Sequence, residues 1–202
     1  ADNPIFYTDW LGDIPPELII RGGKITSSFQ PRIKIENNKT IEYVHRAMDI
    51  AGKMGSDIHA YASGKIVKID NARGWGNYIV IQHEEGFYSL YAHLKELPNL
   101  EVGQTIKDDQ IIGKVGMTGS TTGPHLHLEL GYAKNLDEFL KGSKQVTRND
   151  TRLNPEKIGD LEEFIENYKV NKNKINLDEF KQPSTSKIQK VKINNSKNQN
   201  NK

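Results

Sequence analysis

Residues 125–129 read His-Leu-His-Leu-Glu, placing His125, His127 and Glu129 on one parity and Leu126, Leu128 and Leu130 on the other. Side chains in a strand switch faces at every residue, so a strand here sends both imidazoles one way and the leucines into a core. Two imidazoles held side by side on a rigid strand suit metal binding or proton transfer. A second stretch, Val44 to Asp49, places a carboxylate four residues after His45. In an extended segment i and i+4 share a face, so His45 and Asp49 can converge with a histidine of the first stretch. Two imidazoles and one carboxylate are a recurring catalytic zinc set, with the fourth position left to water. An H-x-x-x-D is weak by itself. Beside an H-x-H strand, in a chain without cysteine, it points to a metal centre.

Four further features bear on such a site. His93 ends the run Leu90-Tyr91-Ala92-His93-Leu94 and is expected on the face of Tyr91 and Ser89, as a candidate for proton transfer or oxyanion stabilisation; the alternative is a partly exposed strand-end histidine. His59 and His83 lack partners at suitable spacing and read as surface or hydrogen-bonded structural residues. Glu129 either steadies a ligand imidazole from behind or faces solvent. Gly74-Trp75-Gly76-Asn77 is a groove wall or a plain turn.

The elements that must position these residues are short and punctuated by glycine. Strand signals run from Lys24 to Phe29, followed by a polar loop through Asn37-Asn38. Others fall around Met48 to Ile50, Gly64 to Ile69, Tyr78 to His83 and Phe87 to His93. The last two, separated by Glu84-Glu85-Gly86, form an expected hairpin. Val102 to Val115 adds two short strands around Lys107-Asp108-Asp109-Gln110. Strands at this spacing indicate an all-β sandwich or barrel. Beyond the histidine strand, Asn135 to Glu138 resembles a helix start and Gly142 a stop. Leu161, Phe164, Ile165 and Tyr168 follow the i, i+3, i+4, i+7 rule of an amphipathic helix.

The totals narrow the class. The 202 residues allow one substantial domain plus extensions, and 28 basic against 26 acidic residues leave a net charge of +2, with no global field for nucleic acid. Absence of cysteine excludes disulfides, thiolate metal sites and a cysteine nucleophile, and fits an exported bacterial protein. No apolar run reaches the length of a membrane span and no stretch reads as a signal peptide. The expected organisation is an N-terminal arm over 1–21, a main domain over 22–157, a helical extension over 158–182 and a disordered basic tail over 183–202, with five lysines and no acidic residue.

His45-x-x-x-Asp49, Tyr91-Ala92-His93-Leu94 and Gly119-Ser120-Thr121-Thr122-Gly123-Pro124-His125-Leu126-His127 together closely resemble the LytM/lysostaphin-like zinc metallopeptidases, family M23. Supporting segments are Lys24 to Phe29 ahead of Arg32, Gly74 to Asn77, Gly103 to Ile106 with Ile112-Gly113, and Leu153-Asn154-Pro155. The resemblance covers about residues 22–157. It implies that His45, Asp49 and His127 hold Zn2+ and that His93 and His125 are the catalytic histidines. It also implies a compact antiparallel β-sandwich, of duplicated hybrid-motif type, with an open groove and short helices C-terminal to it. Gln30 departs from the pattern, standing where a glycine is common. Tyr43 lies only two residues before His45, and the transition-state role of the family's tyrosine is not carried over to it.

The activity that the resemblance implies is that of a zinc-dependent endopeptidase cutting the peptide cross-links of peptidoglycan. Its partners are stem peptides rather than nucleic acid, and it acts as a monomer in the bacterial cell envelope, periplasmic or extracellular. Zinc on such ligands lowers the pKa of a bound water to about 7 and polarises a peptide carbonyl. Two readings from other classes stand beside it. One is a scaffold of the same fold that activates a separate cell-wall amidase; such scaffolds usually lose ligands. The other is a lipoyl-type binding module, suggested by Val102-Gly103-Gln104 with Ile112 to Val115, which has no use for the histidines.

Overall fold

The computed structural model describes residues 18–142 and 151–181. The strands are β1 (Lys24–Ser27), β2 (Gln30–Glu36), β3 (Lys39–His45), β4 (Met48–Ala51), β5 (Asp57–His59), β6 (Gly64–Ala72), β7 (Gly76–Gln82), β8 (Phe87–Leu94), β9 (Thr105–Ile106), β10 (Ile111–Lys114), β11 (His125–Tyr132) and β12 (Arg152–Leu153). The main sheet runs β1-β4-β11-β8-β7-β6-β9, with β12 paired to β11; β10 pairs β5 and β2 pairs β3, every pair antiparallel. The helices are α1 (Leu136–Gly142), α2 (Pro155–Ile158) and α3 (Leu161–Asn171). Antiparallel sheet with a few short helices is the expected fold class.

The central strands are buried on both faces, and their alternation sorts two apolar layers. Leu126, Leu128 and Leu130 of β11 join Ile50 of β4 and Tyr91 of β8 in the main core. Tyr88, Leu90 and Ala92 point the other way and form a second cluster with Tyr78 and Val80 of the neighbouring β7 and with Phe139 of α1. Tyr88 and Phe139 stack with ring centroids 5.0 Å apart.

One expected loop is a hairpin. Residues 30–36 form a strand in full register with β3, from Gln30↔His45 to Glu36↔Lys39. The turn Asn37-Asn38 takes φ of 51° and 59°, a left-handed pair that asparagine tolerates and that matches strand twist. The signal was the alternation Arg32-Ile33-Lys34-Ile35-Glu36 ahead of two asparagines, masked by its high polarity. Ile33 and Ile35 stay exposed because this ribbon has no sheet above it among the described residues.

The C-terminal helix packs as its periodicity predicts. Asp160 caps α3 by accepting from the Glu163 amide at 3.0 Å. Leu161, Phe164 and Ile165 are buried, and Phe87 meets Phe164 and Tyr168 edge-on at 5.7 and 5.3 Å. Ile19 and Ile20 are fully buried in the same core. The remainder of the expected arm, residues 1–17, and the tail 183–202 lie outside the described residues.

Two glycines decide how the loops near the histidine strand meet. Gly76 and Gly119 both have positive φ, and a Cβ on either would come within 2.3 Å of the other loop's backbone. Only glycine allows this approach, which seats the loop after β10 against the β6–β7 turn that carries Trp75.

Candidate metal centre

Asp49 sits opposite His127 in the β4–β11 ladder, so their side chains rise from the same face of the main sheet. His127 Nδ1 and Asp49 Oδ1 are 2.9 Å apart. His45 arrives differently from the shared-face expectation. It closes β3 of the two-stranded ribbon, and Arg46-Ala47 turn the chain into the main sheet before Asp49. The pair therefore converges across a corner between two sheets, with His45 Nε2 3.3 Å from Asp49 Oδ2.

His93 also departs from expectation. Phe87 and Tyr91 enter the main core, and a residue two further along would follow them. His93 instead takes φ of 61°, which reverses the alternation, so that Leu94 enters the core and His93 lines the cavity over His127. Its amide donates to the Trp75 carbonyl at 2.8 Å. A β-strand residue at positive φ is uncommon and collects at functional sites. The His93 ring lies 4.8 Å from that of His125 and 5.7 Å from that of His127.

Hydrogen bonds orient every ring. Carbonyl oxygens only accept, so a ring nitrogen facing one carries the proton and the other nitrogen of a neutral ring is bare. His45 Nδ1 faces the Ser28 carbonyl at 3.0 Å, His93 Nδ1 that of Thr118 at 2.7 Å, and His125 Nδ1 that of Gly123 at 2.9 Å. Each leaves Nε2 for the cavity. His127 is reversed, with Nε2 held by Glu129 Oε1 at 3.0 Å and Nδ1 facing Asp49. Glu129 is therefore buried behind His127 rather than solvent-facing. Its Oε1 also accepts from the Trp75 indole at 3.0 Å, and its Oε2 from Arg152 Nε at 2.7 Å.

The electrostatics reflect this packing. Burial pushes the Asp49 carboxyl up, but hydrogen bonds to His127 and His45 outweigh it and hold the group well below the usual carboxylate range. Burial pulls His127 down, whereas Asp49 and Glu129 together push it up to about 9. Burial takes His93 down to about 4, assisted by the neighbouring His127 and His125. His93 is neutral at pH 7.

One atom each from His45, Asp49 and His127 lies within 4.8 Å of the others. The donor chemistry suits zinc: two imidazole nitrogens with no competing hydrogen bond partner but the carboxylate, and that carboxylate ionised. Tetrahedral zinc with bonds of about 2.0 Å needs ligand atoms ~3.3 Å apart; His45 Nε2 lies 3.3 Å from Asp49 Oδ2, and His127 Nδ1 2.9 Å from the other oxygen, Oδ1. The cavity over the group, about 740 Å³, is also lined by Arg32, Tyr43, Trp75, His93, Thr121 and His125. Its open mouth leaves room for a substrate at the fourth position.

His59 and His83 stay outside this cavity. His83 is buried between the Ser63 carbonyl (2.6 Å) and Ser89 Oγ (2.8 Å), and His59 Nδ1 faces the Asp109 carbonyl at 2.8 Å. Sequence reasoning missed Arg152, whose side chain is completely buried over the Phe139 ring. The available signal was its place beside Leu153-Asn154-Pro155. It also gave Arg32 no place at the site, although its Nη2 lies 3.9 Å from Asp49 Oδ2.

A two-imidazole, one-carboxylate pocket on an antiparallel sheet, flanked by two further histidines, defines a metallohydrolase-type centre. Residues 43–139 match the model of peptidase family M23, a span that contains all five of these residues. Over those residues the chain is similar to the M23 peptidases. Among curated relatives, the peptidoglycan DD-endopeptidase ShyB of Vibrio cholerae is 27% identical over 157 residues, covering 77% of this chain and 36% of ShyB. The chain thus spans about a third of that relative. A zinc-containing peptidase from Vibrio cholerae is 29% identical with a TM-score of 0.50, covering 59% of this chain and 35% of that one. The catalytic domain of lysostaphin from Staphylococcus simulans is also 29% identical with a TM-score of 0.50, and 66% of this chain covers 97% of it.

Proposed function

We propose that the chain is a zinc-dependent endopeptidase that hydrolyses peptide cross-links of bacterial peptidoglycan, working as a monomer in the periplasm or outside the cell. The observation that carries this reading is the orientation of four imidazoles around one ionised carboxylate. His45 Nε2, Asp49 and His127 Nδ1 form the metal set, and the bare Nε2 atoms of His93 and His125 remain for proton work.

Zinc bound there supplies a Lewis acid for the peptide carbonyl and an acidified water. The rest falls to the protein. His125, the more exposed of the two free rings, takes the proton of the attacking water and returns it to the leaving amine. His93, kept neutral by burial, accepts a hydrogen bond at Nε2 and orients that water. A scaffold without chemistry would need neither bare nitrogen.

The test is incubation of the purified chain with zinc and defined cross-linked peptidoglycan fragments, read by mass spectrometry. Uncross-linked stem peptides with intact glycan strands are expected, abolished by a chelator and restored by zinc. No cleavage of any cross-link chemistry, together with stimulation of an added amidase, would overturn the reading in favour of an activator. A chain starting at Leu18, which keeps the buried Ile19 and Ile20, belongs in the same series and should be at least as active.

A further inference from the structure

We propose that a cavity beside the metal centre is a substrate subsite for an aliphatic side chain ending in a zwitterionic amino-acid head, as on a diaminodicarboxylic acid within a stem peptide. This deepens the peptidoglycan reading of the same site and rests on it.

The second cavity, also about 740 Å³, shares Gly74, Trp75 and Ser120 with the catalytic one. A peptide lying over the metal set can therefore place a neighbouring side chain in it without a detour. Its wall is aromatic and aliphatic. Trp75 and Tyr78 have ring centroids 5.0 Å apart, and Leu140 of α1 lines the same cavity. The Trp75 ring is pinned by its bond to Glu129, so this wall is set before any ligand arrives. Such a surface suits a run of methylenes.

The charges around that wall select the head. Arg73 on the β6–β7 turn, and Asp137 and Lys141 on α1, all line the cavity and are exposed. None of the three side chains has a hydrogen bond or ion pair among the described residues, although surface pairs such as Lys68–Asp70 at 3.1 Å form close by on β6. Two cations and one carboxylate at one mouth, not neutralising one another, complement a carboxylate and an ammonium on one carbon. The guanidinium offers a carboxylate two parallel N–H groups. A side chain ending in an ammonium alone, like that of lysine, would satisfy Asp137 but face two like charges.

The measurement is calorimetric binding of two uncross-linked stem tripeptides to the zinc-loaded chain, identical but for the third residue, diaminopimelate or lysine. With no cross-link to cut, binding is read separately from catalysis. The diaminopimelate peptide should bind about tenfold tighter or more, because it adds a charge-assisted hydrogen bond and avoids a repulsion, and it should shift the Trp75 indole N–H resonance. R73Q/K141Q should bring its affinity down to that of the lysine peptide, and D137N should weaken both. Equal binding of the two peptides by the unaltered chain would overturn the proposal, whatever the variants do. Preference without cleavage would leave the subsite standing and remove the endopeptidase; cleavage without preference would do the reverse.

Discussion

Arg152 Nε donates to Glu129 Oε2 at 2.7 Å, with both side chains shut away from solvent. The other oxygen of Glu129 holds His127 Nε2 and the Trp75 indole. Arg152 belongs to β12, beyond the residues matched by the family model. The C-terminal segment thus reaches the metal set through two buried charges. Glu129→Gln keeps the shape but weakens the acceptor behind His127, and zinc affinity should fall roughly 10- to 100-fold, as for loss of an outer-shell partner. Competition with a chromogenic chelator measures it. Unchanged affinity would show that His127 needs no support from behind.

Removing only one member of this buried pair strands the other. Arg152→Met should cost about 3–5 kcal/mol in unfolding free energy, because the Glu129 carboxylate keeps its burial and loses its fully buried guanidinium partner. Burial pushes that carboxyl up, yet Arg152 and His127 hold it down at about 2. The double variant E129Q/R152M should recover most of the loss in urea titrations. Simple additivity of the two single effects would contradict the coupling.

The proposed ligand and catalytic residues should separate by metal content. Alanine at Asp49 or His127 removes one of three protein donors and should leave the purified chain largely without zinc. Alanine at His93 or His125 should leave zinc close to stoichiometric while cleavage falls by roughly two or more orders of magnitude. An emptied site in His125→Ala would exchange the roles of the two histidines on β11.

Zinc uptake should release a proton. His127, at about 9 in the metal-free protein, is an imidazolium at pH 7 bridging Asp49 and Glu129. Zinc requires a bare Nδ1. About one proton should therefore leave per zinc at pH 7, and apparent affinity should climb about tenfold per pH unit until about pH 9. Calorimetry in buffers of different ionisation enthalpy counts the protons. The absence of released protons at pH 7 would exclude the bridged imidazolium.

His83 sets a separate pH dependence, on folding. Burial takes it down to about 4, with the Ser63 carbonyl only partly opposing. Its folded value lies below the ordinary 6.5, so the unfolded chain binds the extra proton. The resulting stability is complete above about pH 6.5 and is lost as pH falls toward 4, by at most about 3 kcal/mol. His83→Gln should flatten the urea midpoint against pH over that window. An unaltered slope would place the acid sensitivity elsewhere.

Much of the site was legible because strand parity is a local property. The alternation in 125–130 determined which residues of β11 enter the core and which face outward, and the fold keeps that division. The same logic failed at His93, where shared parity with Tyr91 and Ser89 implied a shared face. The positive φ there depends on the loop contacts around Trp75 and Thr118, which are remote in sequence.

The sequence by itself determined the donor types, the β class, the α3 face and the absence of thiol chemistry. Tertiary structure alone decided that His45 and Asp49 meet across a corner between sheets, that Glu129 is buried, and that its cation is Arg152, 23 residues away. The physical reason is range. A strand's period is set by its own backbone, whereas ladder register, loop packing and the partner of a buried charge are set by residues that approach only when the chain has folded.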